Sequence, residues 1–219
     1  MKFSLTGLLI AVNVAAYLWQ ISTYGGAETD HGYLSPQSVL QYGQWWRIVT
    51  AAFLHANITH IALNMLALYT VGREVEAVFG KVRFALLYAL AIAGSGLAIV
   101  YFSQYNVPTL GASGAIFGLF GALVAVGLRL GQRGRSLIMS LLPVLAINLV
   151  FTFSIPGISA AAHVGGLITG FLAGLVLFTG SRRRRFTQEY AYVAAPVAAR
   201  PVETIEHSPQ IETIEHPHE

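Results

Sequence analysis

Long apolar runs, separated by short segments whose basic residues fall on one side, constrain this chain more than any other feature. Six runs count: about residues 5–21, 56–71, 84–103, 113–128, 136–152 and 161–178. A helix crosses the hydrocarbon core of a bilayer with about 20 mainly apolar residues. Only 11% of the 219 residues are charged, against about 25% in a soluble domain. So few charges cannot clothe a soluble surface, and lipid must cover much of the chain. The first run follows Lys2 and precedes no small-x-small cleavage pattern, so the expectation is a retained span rather than a signal peptide.

The Lys and Arg positions give the threading. With the N-terminus inside, Lys2, Arg73, Lys81, Arg83, Arg129, Arg133, Arg135, Arg182 to Arg185 and Arg200 all fall on the inner side, and only Arg47 falls outside. That asymmetry is what the positive-inside rule requires. The expected fold class is all-α: a multi-pass membrane bundle of six transmembrane helices with both termini cytoplasmic. There is no cysteine, hence no disulfide or thiolate metal site.

The first outer segment, residues 22–52, is too long for a simple hairpin. Tyr24, Tyr33, Tyr42, Trp45 and Trp46 suit an interfacial aromatic belt. Short helices embedded in the outer leaflet are expected here, with membrane lipid as their partner. An ordinary anchor explains the tryptophans, but not why the lone outer basic residue, Arg47, adjoins them. Residues 202–219 form a near-repeat rich in Pro and acidic residues and without an aromatic, which reads as disordered. Residues 182–185 suit anionic headgroups. The chain therefore divides into a membrane domain, 1–180, and a cytoplasmic tail, 181–219.

Polar residues inside spans are costly and face a bundle interior or a water-filled cavity. Three groups stand out. His55, His60 and Asn64 surround the start of the second run, and His60 and Asn64, four apart, share a helical face. Interhelical hydrogen bonding is the plain alternative. Zinc hydrolysis lacks a His-Glu-x-x-His sequence, so no metal and no cofactor is expected. Ser113 opens the fourth run, as a helix cap, a packing residue or a nucleophile. Its neighbourhood is not the Gly-x-Ser-x-Gly turn of soluble hydrolases. His163 opens the sixth run.

Gly114, Gly118 and Gly121 make one smooth helix face, and Gly166, Gly170 and Gly174 make another. Such faces let backbones approach closely. Both helices begin at the outer side, so close packing brings the Ser113 hydroxyl to the His163 imidazole, as an activated serine requires. No carboxylate is available at that depth, which makes a dyad rather than a triad. Phe117, one turn below Ser113, is placed to stack on the imidazole. The unpaired N–H of Ser113 at a helix start, with His60 and Asn64, supplies oxyanion donors.

Trp46-Arg47, His55-x4-His60-x3-Asn64, Gly111-x-Ser113-Gly114 and Ala162-His163-x2-Gly166-x3-Gly170 together resemble the rhomboid intramembrane serine proteases. The likeness runs from about Lys2 to Gly180. It implies a six-helix bundle with a cavity opening outward, a catalytic dyad of Ser113 and His163, and an oxyanion hole from His60, Asn64 and Ser113. His55, Gly111, Phe117, Trp46 and Arg47 take supporting places, and Glu76 resembles a structural acid after the second helix. Phe117 stands where some relatives carry tyrosine, which keeps the stacking and drops the hydroxyl.

The function expected is a serine endopeptidase that cleaves single-span membrane proteins near the outer boundary. The bare backbone around Gly111 and Ser113 favours a small residue beside the cleaved bond. The setting expected is a prokaryotic plasma membrane, and no nucleic-acid partner is expected. The rival reading is a non-catalytic rhomboid-like chaperone that binds membrane clients, with Ser113 and His163 as ordinary interhelical contacts. A small transporter would often show an inverted repeat, and none is visible.

Overall fold

A computed structural model describes residues 4–24 and 32–179; Lys2, the basic run 182–185 and the tail lie outside the described residues. All of the named elements are helical. They are α1 (Leu5–Tyr24), α2 (Pro36–Leu40), α3 (Arg47–Thr50), α4 (Ile58–Ala67), α5 (Arg73–Phe79), α6 (Lys81–Phe102), α7 (Ser113–Leu130), α8 (Arg135–Ser154) and α9 (Ala160–Leu177). A wide-pitch turn, Leu68–Gly72, joins α4 to α5 in one rod. Among the described residues, four stretches are long and apolar enough to cross a membrane, or five when Arg47–Phe53 and Ile58–Phe79, bent by 94°, are taken together.

The longest apolar stretch, Ser113–Ser154, covers 42 residues. It does not run straight. Gly131 has φ 59° and ends α7, and the chain then turns back so that Gly134 and Ile138 press on Gly127. In a continuous helix, residues 127 and 138 would stand about 16 Å apart.

α7 is the centre of the bundle, with most of its length buried, including Ile116, Phe117, Leu119, Phe120 and Leu123. Its closest partner is α9, and α6 packs on both. The reason is the absence of side chains. A Cβ on Gly166 would overlap the Gly114 carbonyl, and one on Gly170 would overlap that of Gly118. A Cβ on Gly174 would come within 2.8 Å of Ala122 Cα. Small residues four apart thus meet backbone to backbone, which favours association where lipid removes the hydrophobic drive between helices. Two contacts tie α6 to α9 in the same manner: Gly94 lies under Thr169, and Gly165 under Ala98.

α1 is built the opposite way round from a soluble helix. Its buried residues are Thr6, Asn13 and Gln20, at 1%, 0% and 0% exposure, while Leu8, Val12, Leu18 and Trp19 face outward. Seven residues are close to two helical turns, so the three polar side chains form one stripe toward the bundle. At its start, the Glu76 carboxylate accepts from Leu5 N and Thr6 N, both at 2.9 Å, and from the hydroxyls of Ser4 at 2.9 Å and Thr6 at 2.8 Å. An anion there satisfies otherwise unpaired N–H groups and suits the positive end of the helix dipole.

The first outer segment contains the short helices α2 and α3 and a tight turn, Ala51–Phe53. A reciprocal Ser35–Ser38 capping box starts α2. α3 lies against α6, where Ile48 occupies the space over Gly96. Leu34 and Thr109 exchange backbone hydrogen bonds of 2.9 and 2.8 Å, and Gly111 N donates to Ala51 O at 2.8 Å. The outer segment therefore clamps the strand-like stretch that leads into α7.

Candidate active site

Ser113 and His163 open α7 and α9 at the same end of the bundle. Ser113 Oγ lies 2.8 Å from His163 Nε2. The serine is half-buried and the histidine buried, at 8% exposure. The Gly166–Gly114 contact one turn away sets the helix spacing that makes this reach possible. Phe117 stacks on the imidazole, with ring centroids 4.2 Å apart and planes inclined by 11°. On the ring's other edge, His163 Nδ1 lies 2.7 Å from Thr152 Oγ1 on α8.

Within α7 the first backbone bond runs from Ile116 N to Ala112 O. The N–H groups ahead of it have no partner inside the helix, so the Ser113 end of α7 presents donors. His60 faces the same place. A Cβ on Gly111 would come within 2.8 Å of both His60 Nε2 and Cε1 and 3.8 Å of Ser113 Oγ. His60 and Ser113 therefore flank the space that a side chain at 111 would fill. Gly111 has φ 126°, a region that side-chain-bearing residues rarely adopt. Ala56 N donates to His60 Nδ1 at 3.3 Å. With Nδ1 accepting, the neutral ring carries its hydrogen on Nε2, the nitrogen beside Gly111.

Asn64 is buried, and its Nδ2 donates to His60 O at 2.9 Å, back along its own helix. That bond leaves the amide's second hydrogen free. His55 is fully buried, and its ring meets His60 edge-on at 5.2 Å. Its main chain is gripped from α1: Gln20 Nε2 donates to His55 O at 2.8 Å, and His55 N donates to Gln20 Oε1 at 3.1 Å. Trp46 and Arg47 lie on the outer segment, at the start of α3. The Arg47 guanidinium sits over the rings of Trp46 and Tyr33, 5.0 and 5.2 Å from their centroids, and donates to Tyr33 O at 2.9 Å. Tyr33 adjoins Leu34, so Arg47 braces the clamp on residues 109–111.

The residues missed from sequence are Thr152 and Gln20. Thr152 closes the fifth apolar run and His163 opens the sixth, so equal depth was a signal for their meeting. Gln20 was signalled by the seven-residue spacing of polar groups in the first run.

Fold and site together define a multi-pass, all-helical membrane protein with a recessed hydroxyl–imidazole pair. The family model for the Rhomboid domain matches residues 42–180, and the chain belongs to the rhomboid family. Rhomboid protease GluP of Bacillus subtilis (strain 168) is 36% identical over 181 residues, covering 80% of this chain and 35% of GluP. RHOMBOID-like protein 6, mitochondrial, of Arabidopsis thaliana is 36% identical over 149 residues, covering 67% of this chain and 48% of that protein. Putative rhomboid protease YdcA of Bacillus subtilis (strain 168) is 35% identical over 150 residues, covering 65% of this chain and 72% of YdcA. The chain thus spans about a third of the length of GluP and about half that of the Arabidopsis relative.

Proposed function

We propose that the chain is an intramembrane serine endopeptidase with Ser113 as nucleophile and His163 as base. The observation that carries this reading is the 2.8 Å contact between Ser113 Oγ and His163 Nε2. Relatives named as rhomboid proteases support it. The six spans proposed are α1, the Ile58–Phe79 rod, α6, α7, α8 and α9. The fold-back after Gly131 supports counting α7 and α8 separately, since 42 straight helical residues would extend about 63 Å, twice the hydrocarbon thickness. Both termini are cytoplasmic by the placement of Lys and Arg, the site opens to the outer side, and the membrane is a prokaryotic plasma membrane. Residues 1–180 form the membrane domain, and 181–219 a tail.

The substrate is a single-span membrane protein whose helix unwinds near the outer boundary. Unwinding is costly in lipid because the freed backbone groups need partners, so helix-weak segments are preferred. As Ser113 Oγ bonds to the scissile carbonyl carbon, its proton passes to His163 Nε2. The carbonyl oxygen becomes an oxyanion, met by Ser113 N–H, His60 Nε2–H and the free Asn64 amide hydrogen. One such donor is worth about 3 kcal/mol in the barrier. Collapse breaks the C–N bond, and the leaving amine takes the proton from His163. Water from the outer side then gives a proton to His163 and its oxygen to the acyl carbon, releasing the acid and restoring Ser113.

The test uses detergent-purified full chain, a panel of single-span fusions and a fluorophosphonate probe. Wild type is expected to cleave and to label, and Ser113→Ala to do neither at unchanged expression and melting temperature. Labelling that persists in Ser113→Ala refutes the nucleophile. An inert wild type whose client binding survives Ser113→Ala returns the non-catalytic chaperone reading.

A further inference from the structure

We propose that Thr152 is a positioning residue that fixes the tautomer of His163. The inference rests on the protease reading above and deepens it. Thr152 Oγ1 has two neighbours, Asn148 O at 2.7 Å and His163 Nδ1 at 2.7 Å. A threonine hydroxyl has one hydrogen to give, and a carbonyl oxygen can only accept. If the hydrogen pointed at Nδ1, lone pairs on the two oxygens would face each other at 2.7 Å. The hydrogen therefore goes to Asn148 O, one helical turn back, a common bond for threonine in helices. The hydroxyl oxygen is left to accept from Nδ1–H.

That assignment places the only ring hydrogen on Nδ1 and leaves Nε2 bare. Nε2 is the nitrogen facing Ser113 Oγ, so the ring is held in the form that can take the serine proton. A carboxylate does this work in the Ser-His-Asp triad, where the wrong tautomer is costly to turnover. At this depth in a membrane a carboxylate is expensive, and a neutral hydroxyl is not. Three contacts then define the ring: Phe117 on its face, Thr152 at Nδ1 and Ser113 at Nε2. The burial of Thr152 is not a by-product of general packing. α8 has just two buried residues, Leu145 and Thr152, and Met139, Leu142, Ile147, Val150 and Phe151 around them are exposed.

The experiment compares Thr152→Val, which keeps the shape and removes the hydroxyl, with Thr152→Ser, which keeps the hydroxyl, in full chain purified in detergent. Thr152→Val is expected to lower kcat about 10- to 100-fold, part of the 100- to 10,000-fold that a positioned base supplies. KM should stay as in wild type, and Thr152→Ser should recover most of kcat. A merely structural threonine would instead lower melting temperature and kcat together, with no selective rescue by serine. The second readout is 15N NMR of histidine-labelled protein, with the His163 signals identified by their loss in His163→Ala. Wild type should show a protonated Nδ1 and a bare Nε2. The opposite pattern overturns the proposal, and so does wild-type kcat in Thr152→Val. The NMR readout needs neither turnover nor a folded Thr152→Val. An inert wild type therefore counts against the protease reading, while the tautomer still decides this one.

Discussion

The backbone of Gly166 rests on the carbonyl of Gly114, with no room for a side chain between them. This contact joins the residue next to Ser113 to the residue one turn after His163, so it sets both the packing of α7 on α9 and the reach of hydroxyl to imidazole. Gly166→Val is expected to force the helices apart. Overpacking of this kind costs about 1–3 kcal/mol, and the hydrogen bond of 2.8 Å would lengthen with it. Melting temperature in detergent should fall, and fluorophosphonate labelling should be lost even in the fraction that stays folded. Gly7→Ala is the control, since a methyl there meets only Ser4 Cβ at 3.9 Å. Equal behaviour of the two variants would refute the role given to the glycine seam.

Gly111 joins a backbone requirement to a steric one. Its φ of 126° disfavours any side chain, and strain of this kind costs about 1–3 kcal/mol. The methyl of Gly111→Ala would also stand 2.8 Å from His60 Nε2, in the space where an oxyanion would meet its donors. Turnover should therefore fall by more than the loss of stability explains. The check is kcat for a single-span fusion, set beside the folded fraction at the assay temperature. If kcat falls only in proportion to the folded fraction, the space beside His60 is not where the oxyanion forms.

Much of the bundle was legible because its signals are local. Glycines four residues apart on two runs announce two smooth faces, and the structure joins those faces. The aromatic outer segment contains two short helices, α2 and α3. Less legible was whatever depends on how one run lies against another. The Glu76 carboxylate is more than 70 residues from the helix start it caps. Thr152 meets His163 across a turn whose geometry no spacing rule supplies. The stripe of Thr6, Asn13 and Gln20 was visible as a seven-residue period, but the groups that Thr6 and Gln20 bond, Glu76 and the His55 main chain, lie on other elements 70 and 35 residues away. The clamp of Ala51 on Gly111 is a backbone bond, to which side-chain identity is blind.

The stripe on α1 also makes a prediction about what holds the second rod in place. The Gln20 amide grips both main-chain groups of His55, donating to its carbonyl and accepting from its N–H. Those groups sit in the bend between Arg47–Phe53 and Ile58–Phe79, where no helix pairs them. Gln20→Leu keeps the bulk and suits lipid, yet it removes both hydrogen bonds from a fully buried site. Each buried polar group left unpaired costs about 1–3 kcal/mol, so the expected loss is a few kcal/mol. Equilibrium unfolding in mixed micelles measures it. Because the bend carries His60 toward Ser113, turnover should drop as well, and Gln20→Glu, which while ionised sets a buried carboxylate oxygen against the His55 carbonyl and cannot donate to it, should lose at least as much as Gln20→Leu. If Gln20→Leu unfolds at the wild-type midpoint, the grip on His55 contributes nothing to the placement of the second rod, and that rod is held by its apolar contacts alone.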